Sequence, residues 1–209
     1  MNQSPARYRL HGDNRSGNCY KVALILRMTD RPFEWVPTDV LARETRTDTF
    51  LALNPNGRVP VLVLPDGRIL SESNAILIHL AENTSWLPAG AYQRAQVYQW
   101  LFFEQYSHEP YIAVARFIVH LAKMGDSKKK QMQHLWKNGN AALKIMNDHL
   151  GQAGFMVGEQ LTIADIALYA YTHTAHDGGF DLQPYENIRK WLSGFEAQPG
   201  YVSMEDACQ

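Results

Sequence analysis

A chain of 209 residues with 45% apolar and 20% charged residues holds enough core-forming material for one large globular domain or two small ones. Its 20 basic and 21 acidic residues leave a formal net charge of -1, which gives no electrostatic basis for nucleic acid or an anionic membrane as partner. No apolar run reaches the length of a bilayer span, and Met1-Asn2-Gln3-Ser4-Pro5 lacks the charged-then-apolar pattern of an export signal, so a cytoplasmic location is expected. Cys19 and Cys208 stand at opposite ends of the sequence, which disfavours a structural disulfide and fits a reducing compartment.

In chain order, the pattern predicts a strand over Tyr8–His11, a helix over Asn18–Met28, a strand over Phe33–Val36 and a short helix over Thr47–Leu53. A hairpin follows, Val59–Leu64 and Arg68–Leu70, turned by Pro65-Asp66-Gly67. Pro60 cannot donate to a sheet ladder, so its place at the start of that hairpin predicts a turned-out backbone, with a cis bond as one way to make it, that leaves Val59 open to pair with a ligand. The next helix begins near Glu72, with Ala75, Ile76, Ile78, His79 and Leu80 as its expected inner face. Glu72, Ser73 and Asn74 fall in its first turn, where free backbone N–H groups attract carboxylates. Strand, helix, strand implies a parallel pair joined by a right-handed crossover, and the hairpin adds antiparallel strands to the same sheet. Residues 1–83 therefore read as an α/β unit whose order matches a thioredoxin-like layer.

Thr-Ser-Trp-Leu-Pro-Ala-Gly-Ala at 84–91 breaks both periodicities and reads as a linker. Residues 92–209 read as an all-helical bundle domain, with helices over Tyr92–Ser107, Tyr111–Lys123, Ser127–Leu150, Ile163–Thr174 and Tyr185–Ala197. Thr162 and Asp165 have capping-box spacing, with Leu161 and Ile166 placed for a hydrophobic staple. Ile166–Tyr171 is apolar nearly all round, which marks the centre of the helical domain. Asp165 is thus expected to serve stability, its loss costing about 1 kcal/mol.

The segment Asn54-Pro55-Asn56-Gly57-Arg58-Val59-Pro60, the hairpin, Glu72-Ser73 and Thr162-Ile163-Ala164-Asp165 together resemble the cytosolic glutathione transferase family, over nearly the whole chain. The resemblance is to its bacterial serine-type, theta-like and delta-like members. It implies glutathione as co-substrate and a homodimer. By position it assigns Glu72 and Ser73 to the γ-glutamyl end, Val59 through its backbone to the cysteinyl part, and Arg58 to the glycine carboxylate.

In thioredoxin-like proteins a Cys-x-x-Cys pair lies between the first strand and the first helix, and the helix terminus activates its leading thiol. Here that stretch reads Ser16-Gly17-Asn18-Cys19. A hydroxyl in the leading place cannot exchange disulfides, yet it can donate to the sulfur of a bound thiol. A thiol of pKa ~8.5 is only a few per cent ionised at neutral pH, and a shift of about 1.5 units, about 2 kcal/mol, would make roughly a third reactive. One charge-assisted hydrogen bond plus a helix dipole can supply that. Ser16 aligns with the family's catalytic serine, and Asn18 offers an amide to the same region. For both, helix capping is the competing reading. Tyrosine-type members carry a phenol at the end of the first strand, where this chain has His11 and Gly12. Cys19 is either a small buried apolar residue or a thiol activated in the first helical turn.

A co-substrate wall is expected on the first helix pair of the helical domain, from Trp100, Phe103, Glu104, Tyr106, His108, Tyr111 and Arg116, with His108 and Arg116 as the leading polar candidates, against the reading of the aromatic stripe as core. His79, His134 and His149 have no carboxylate or thiol at ligand spacing, so no metal is expected, and Gly178-Gly179 is a bend and not a phosphate cradle. The activity the resemblance implies is thiolate attack on a small hydrophobic electrophile. A glutathione-dependent disulfide or peroxide reductase, or a non-catalytic glutathione-binding interaction module, stand as alternatives.

Overall fold

Tyr8–Gly12 forms strand β1 of the computed structural model, which describes residues 7–124 and 126–208; the Met1–Pro5 reading lies outside them. Helix α1, Gly17–Met28, returns the chain to strand β2, Phe33–Pro37, which pairs parallel with β1. Helix α2, Asp48–Leu53, is capped by the Thr47 hydroxyl, which accepts from the Phe50 amide at 3.3 Å. Strand β3, Val61–Val63, lies antiparallel to β1 with Leu62 opposite Leu10, and strand β4, Ile69–Ser71, lies antiparallel to β3 with Leu70 opposite Leu62. The sheet order is β2-β1-β3-β4, and this is the thioredoxin-like mixed sheet that the element order implies. The ladder begins at Val61, not at Val59, because Pro60 has no N–H to give to it; the Val59–Pro60 bond is cis.

Every residue of β3 is buried, so the strand reads as a continuous apolar run instead of an alternation. Helix α1 is buried from Cys19 to Leu26, Lys21 included. Helix α3, Ser73–Ala81, turns its buried face through Ser73, Ile76, Leu77, Leu80 and Ala81. Ala75 and His79, expected on that face, are exposed. The stripe at i, i+3, i+4, i+7 and i+8 runs from Ser73, which rotates it off Ala75 and His79.

The chain divides into two units, Met1–Glu82 with Pro199–Gln209, and Asn83–Gln198. The second unit comprises helices α4 (Ala91–Phe103), α5 (Glu109–Arg116), α6 (Lys129–Leu150), α7 (Ile163–Thr172) and α8 (Glu186–Glu196). The interruption expected between Ser107 and Tyr111 is absent among the described residues. A wider π turn over Glu104–His108 carries α4 directly into α5, with Pro110 in the first turn, where a missing N–H costs nothing. Assignment of all of 92–209 to the helical domain is corrected at its end. Gly200, at φ 77°, turns the chain after α8, and the Tyr20 hydroxyl on α1 donates to the Val202 carbonyl at 2.7 Å, so the last stretch packs with the first unit.

All ten residues of α7 are buried. The capping box is present: the Thr162 hydroxyl accepts from the Ala164 amide at 3.3 Å, and Asp165 Oδ2 accepts from the Thr162 amide at 2.8 Å. Asp165 Oδ1 also accepts from the Met156 amide and from Trp191 Nε1, each at 3.0 Å, which ties α7 to α8 and to the preceding loop. Removing it strands several buried donors, so the cost exceeds that of a cap alone. Asp165→Ala is expected to lower the unfolding free energy by at least about 2 kcal/mol, read as a shifted urea midpoint.

Candidate functional site

The turn between β1 and α1 is held by a buried carboxylate. Asp13 Oδ1 accepts from the Arg15 amide at 3.0 Å and from Arg15 Nε at 2.8 Å, and its Oδ2 accepts from Arg15 Nη2 at 2.6 Å and the Val40 amide at 3.0 Å. Arg15 Nη2 also donates to Asp39 Oδ1 at 2.7 Å. Burial pushes the Asp13 carboxyl up, but the bonds from Arg15 and the Val40 amide outweigh it and hold the group below the usual carboxylate range. The Asp13 carbonyl accepts from the Ser16 amide at 3.0 Å.

Ser16 emerges from this clamp as the N-cap of α1, in extended backbone, with its hydroxyl accepting from the Cys19 amide at 3.4 Å. Capping uses an oxygen lone pair, and the hydroxyl hydrogen, which also faces the Cys19 thiol, is the one that could be given to a bound sulfur. The cap and the thiol donor are therefore compatible in one side chain. Gly12 closes β1, and a Cβ there would lie 2.6 Å from Trp35 and 3.0 Å from Cys19 Sγ. The packing accepts no larger residue without moving Trp35.

The first turn of α1 is joined to the first turn of α3. Ser73 Oγ donates to Asn18 Oδ1 at 3.2 Å, and Lys21 Nζ reaches both Ser73 Oγ and Asn74 Oδ1 at 3.5 Å. Asn18, expected as an amide donor, thus presents its oxygen to Ser73. Lys21 escapes sequence reasoning, although a single cation inside the apolar run Cys19–Leu26 is a readable signal. Glu72, before α3, is exposed and adopts φ 67°, ψ 110°, which costs a residue with a Cβ about 1–3 kcal/mol. Arg58 and Val59 precede β3. The Arg58 carbonyl accepts from Asn54 Nδ2 at 2.8 Å, and among the described residues neither backbone group of Val59 is hydrogen-bonded.

Cys19 is fully buried and its thiol is pushed up to about 12, chiefly by burial, with the Ser16 hydroxyl only partly offsetting this. It is a packed, un-ionised thiol at neutral pH, and both cysteines are free. The two polar wall candidates are interior residues of the helical unit. His108 is fully buried with Nε2 2.9 Å from Thr172 Oγ1, and Arg116 is buried with Nε donating to Asp177 Oδ2 at 3.0 Å. Tyr106, by contrast, is 83% exposed. Among the described residues no cluster of three metal-ligating side chains occurs, and no helix is long and apolar enough to cross a membrane.

A four-stranded thioredoxin-like unit in which the Ser16 hydroxyl caps α1, followed in sequence by a helical unit, defines a two-part fold of transferase type. The chain belongs to the glutathione S-transferase family: the family's N-terminal domain matches residues 10–88 and its C-terminal domain residues 100–199. A crystal structure of a glutathione S-transferase from Pseudomonas fluorescens is 50% identical, with a TM-score of 0.93, covering 95% of this chain and 99% of that one. Glutathione S-transferase 2 of Anopheles gambiae is 32% identical over 92% of this chain and 88% of its own length. A maleylacetoacetate isomerase of Rhizobium meliloti is also 32% identical, over 93% and 87%.

The Asp13 clamp has a pH signature. A carboxyl held below its ordinary value of 3.8 contributes stability that is complete above that value and is lost as pH falls through the folded-state pKa. The stability difference between the protein and Asp13→Asn, followed by urea unfolding, is expected to be largest near neutrality and to shrink below pH ~4.

Proposed function

We propose that this chain is a serine-type glutathione transferase, in which the Ser16 hydroxyl donates to the glutathione sulfur and favours its thiolate for attack on a hydrophobic electrophile. The observation that carries this reading is the N-cap position of Ser16, whose oxygen is engaged by the Cys19 amide and whose hydrogen, now facing the Cys19 thiol, can turn to a ligand sulfur instead. The positive end of the α1 dipole acts on the same sulfur. The first turn of α3 suits the ligand's α-carboxylate, with Glu72 facing its amino group. The unspent Val59 backbone suits the cysteinyl amide, and the exposed Arg58 suits the glycine carboxylate. The strained backbone at Glu72 supports this placement, since such strain collects at ligand sites.

A buried Cys19 disfavours a chemistry in which the protein's own thiol forms mixed disulfides. Likeness to an isomerase favours one second reading, in which the same thiolate adds to an activated alkene and leaves again. The protein is assigned to the cytosol, where reduced glutathione is abundant. Its natural co-substrate is taken to be a small apolar electrophile of the kind removed in detoxification.

Ser16→Ala is expected to lower turnover with an aryl halide at least about tenfold while unfolding within about 1 kcal/mol of the parent, the cost of a lost cap. Calorimetry that detects no glutathione uptake at millimolar concentration sinks the reading, and turnover of a cis-alkene diacid without conjugation selects the isomerase.

We further infer a homodimer. Tyr92, Phe102 and Tyr106 are 76%, 73% and 83% exposed, Phe102 in the last turn of α4 and Tyr106 four residues on in the π turn that continues it. Aromatic exposure of this kind marks a surface that another chain covers. Phe102→Glu is expected to shift the light-scattering mass from dimer towards monomer.

A further inference from the structure

Asn54 is 5% exposed and follows Leu53, the last residue of α2. Its backbone lies at φ -142°, ψ 103°, an extended conformation open to any residue, so the end of the helix does not itself ask for an amide side chain. That side chain is used on the loop instead. Its Oδ1 accepts from the Asn56 amide at 3.1 Å, and its Nδ2 donates to the Arg58 carbonyl at 2.8 Å. A backbone amide only donates and a carbonyl only accepts, so the two bonds fix which end of the side chain faces which partner. The carbonyls of Asn54 and Asn56 are engaged as well, by the Gly57 amide at 2.8 Å and by Arg46 Nη1 at 3.3 Å. Gly57, at φ 62°, permits the close approach, because a Cβ there would lie 2.5 Å from Arg46 Nη1 and 2.9 Å from the Thr45 carbonyl oxygen. The chain thus reaches Val59 with every second carbonyl tied back, and there the pattern stops. Neither backbone group of Val59 is hydrogen-bonded among the described residues.

We propose that Asn54 is a positioning residue for the ligand's cysteinyl backbone, acting through the Arg58–Val59 peptide. This deepens, and rests on, the glutathione reading given above. The Arg58–Val59 peptide is trans and planar, so its C=O and N–H point in opposite directions. The bond from Asn54 Nδ2 draws the Arg58 carbonyl back into the loop and thereby turns the Val59 N–H out of it. An outward N–H suits a carbonyl of an extended peptide laid alongside, in the way a strand adds to a sheet edge. Without the Asn54 donor the Arg58 carbonyl has no partner in the loop, the peptide unit is free to turn about its flanking torsions, and ordering it falls to the binding step.

The test is a pair of ligands titrated calorimetrically into the protein and into Asn54→Ser, whose hydroxyl can keep the local turn to the Asn56 amide but is too short to reach the Arg58 carbonyl. The ligands are glutathione and its analogue with a trans alkene in place of the cysteinyl–glycine amide, which lacks the carbonyl that the Val59 N–H would meet. Asn54→Ser is expected to weaken glutathione about tenfold and the alkene analogue less than about twofold. With an aryl halide the same variant is expected to raise KM for glutathione about tenfold and to leave kcat within about twofold. Equal loss for both ligands, no loss for either, or a fall in kcat at unchanged KM overturns the role of Asn54 while leaving glutathione binding intact. Should Asn54→Ser fail to fold, the isosteric Asn54→Asp, which also lacks the donor, is titrated in the same way. In the parent protein itself, equal affinity for the two ligands also overturns it. Failure of the parent to bind glutathione at all overturns the glutathione reading, and this one with it.

Discussion

Two helix N-termini tied to each other are the constraint on which the first unit is organised. The Asn18, Ser73 and Lys21 side chains join the start of α1 to the start of α3, so two helix N-termini are held in fixed relation. An isolated terminus binds anions weakly and without selectivity. Two of them at fixed spacing suit a ligand with an ionisable sulfur at one point and a carboxylate at another, which is the chemistry of a γ-glutamyl thiol. The sheet supplies the rigidity. β1 delivers the chain to Ser16, β4 delivers it to Glu72, and β3 lies between them in the ladder.

Around Ser16 and around Glu72 the backbone is held by different means. The turn before α1 is fixed by charge, through the Asp13 carboxylate that gathers Arg15 and the Val40 amide. The residue before α3 is fixed against its preference, at a positive φ without the freedom of glycine. A glycine there would relax the backbone but would remove a carboxylate from the start of α3. Stability alone would replace this residue.

Much of this was readable from residue order. The strand, helix and hairpin succession defines the mixed sheet, the Thr162 and Asp165 spacing defines the cap of α7, and the Ser16 position follows from its place between β1 and α1. What sequence could not reach has a common cause, which is distance along the chain. His108 looked like a wall residue because its partner, Thr172, stands 64 positions away and on another helix. Arg116 misled in the same way through Asp177. The cation at Lys21 finds its partners on α3, and the passage of α4 into α5 depends on a π turn that no local propensity announces. The phase of α3 was misjudged because Ala75 and His79 are neutral to the pattern, and only contact with α1 decides which side faces inward. The strain at Glu72 carries no signal at all, since glycine is the residue by which positive φ is ordinarily read.

The return of Pro199–Gln209 to the first unit, through the bond from Tyr20 to the Val202 carbonyl, bears on the order in which the molecule is made. During synthesis the intervening helices leave the ribosome before the closing stretch does. The sheet unit therefore waits, with part of α1 uncovered, while the helical unit already has all of its own residues. Contacts of such long sequence separation are slow to form. Until Pro199–Gln209 arrives, the surface of α1 beside Tyr20 stays open, the state in which apolar surface invites association with other chains.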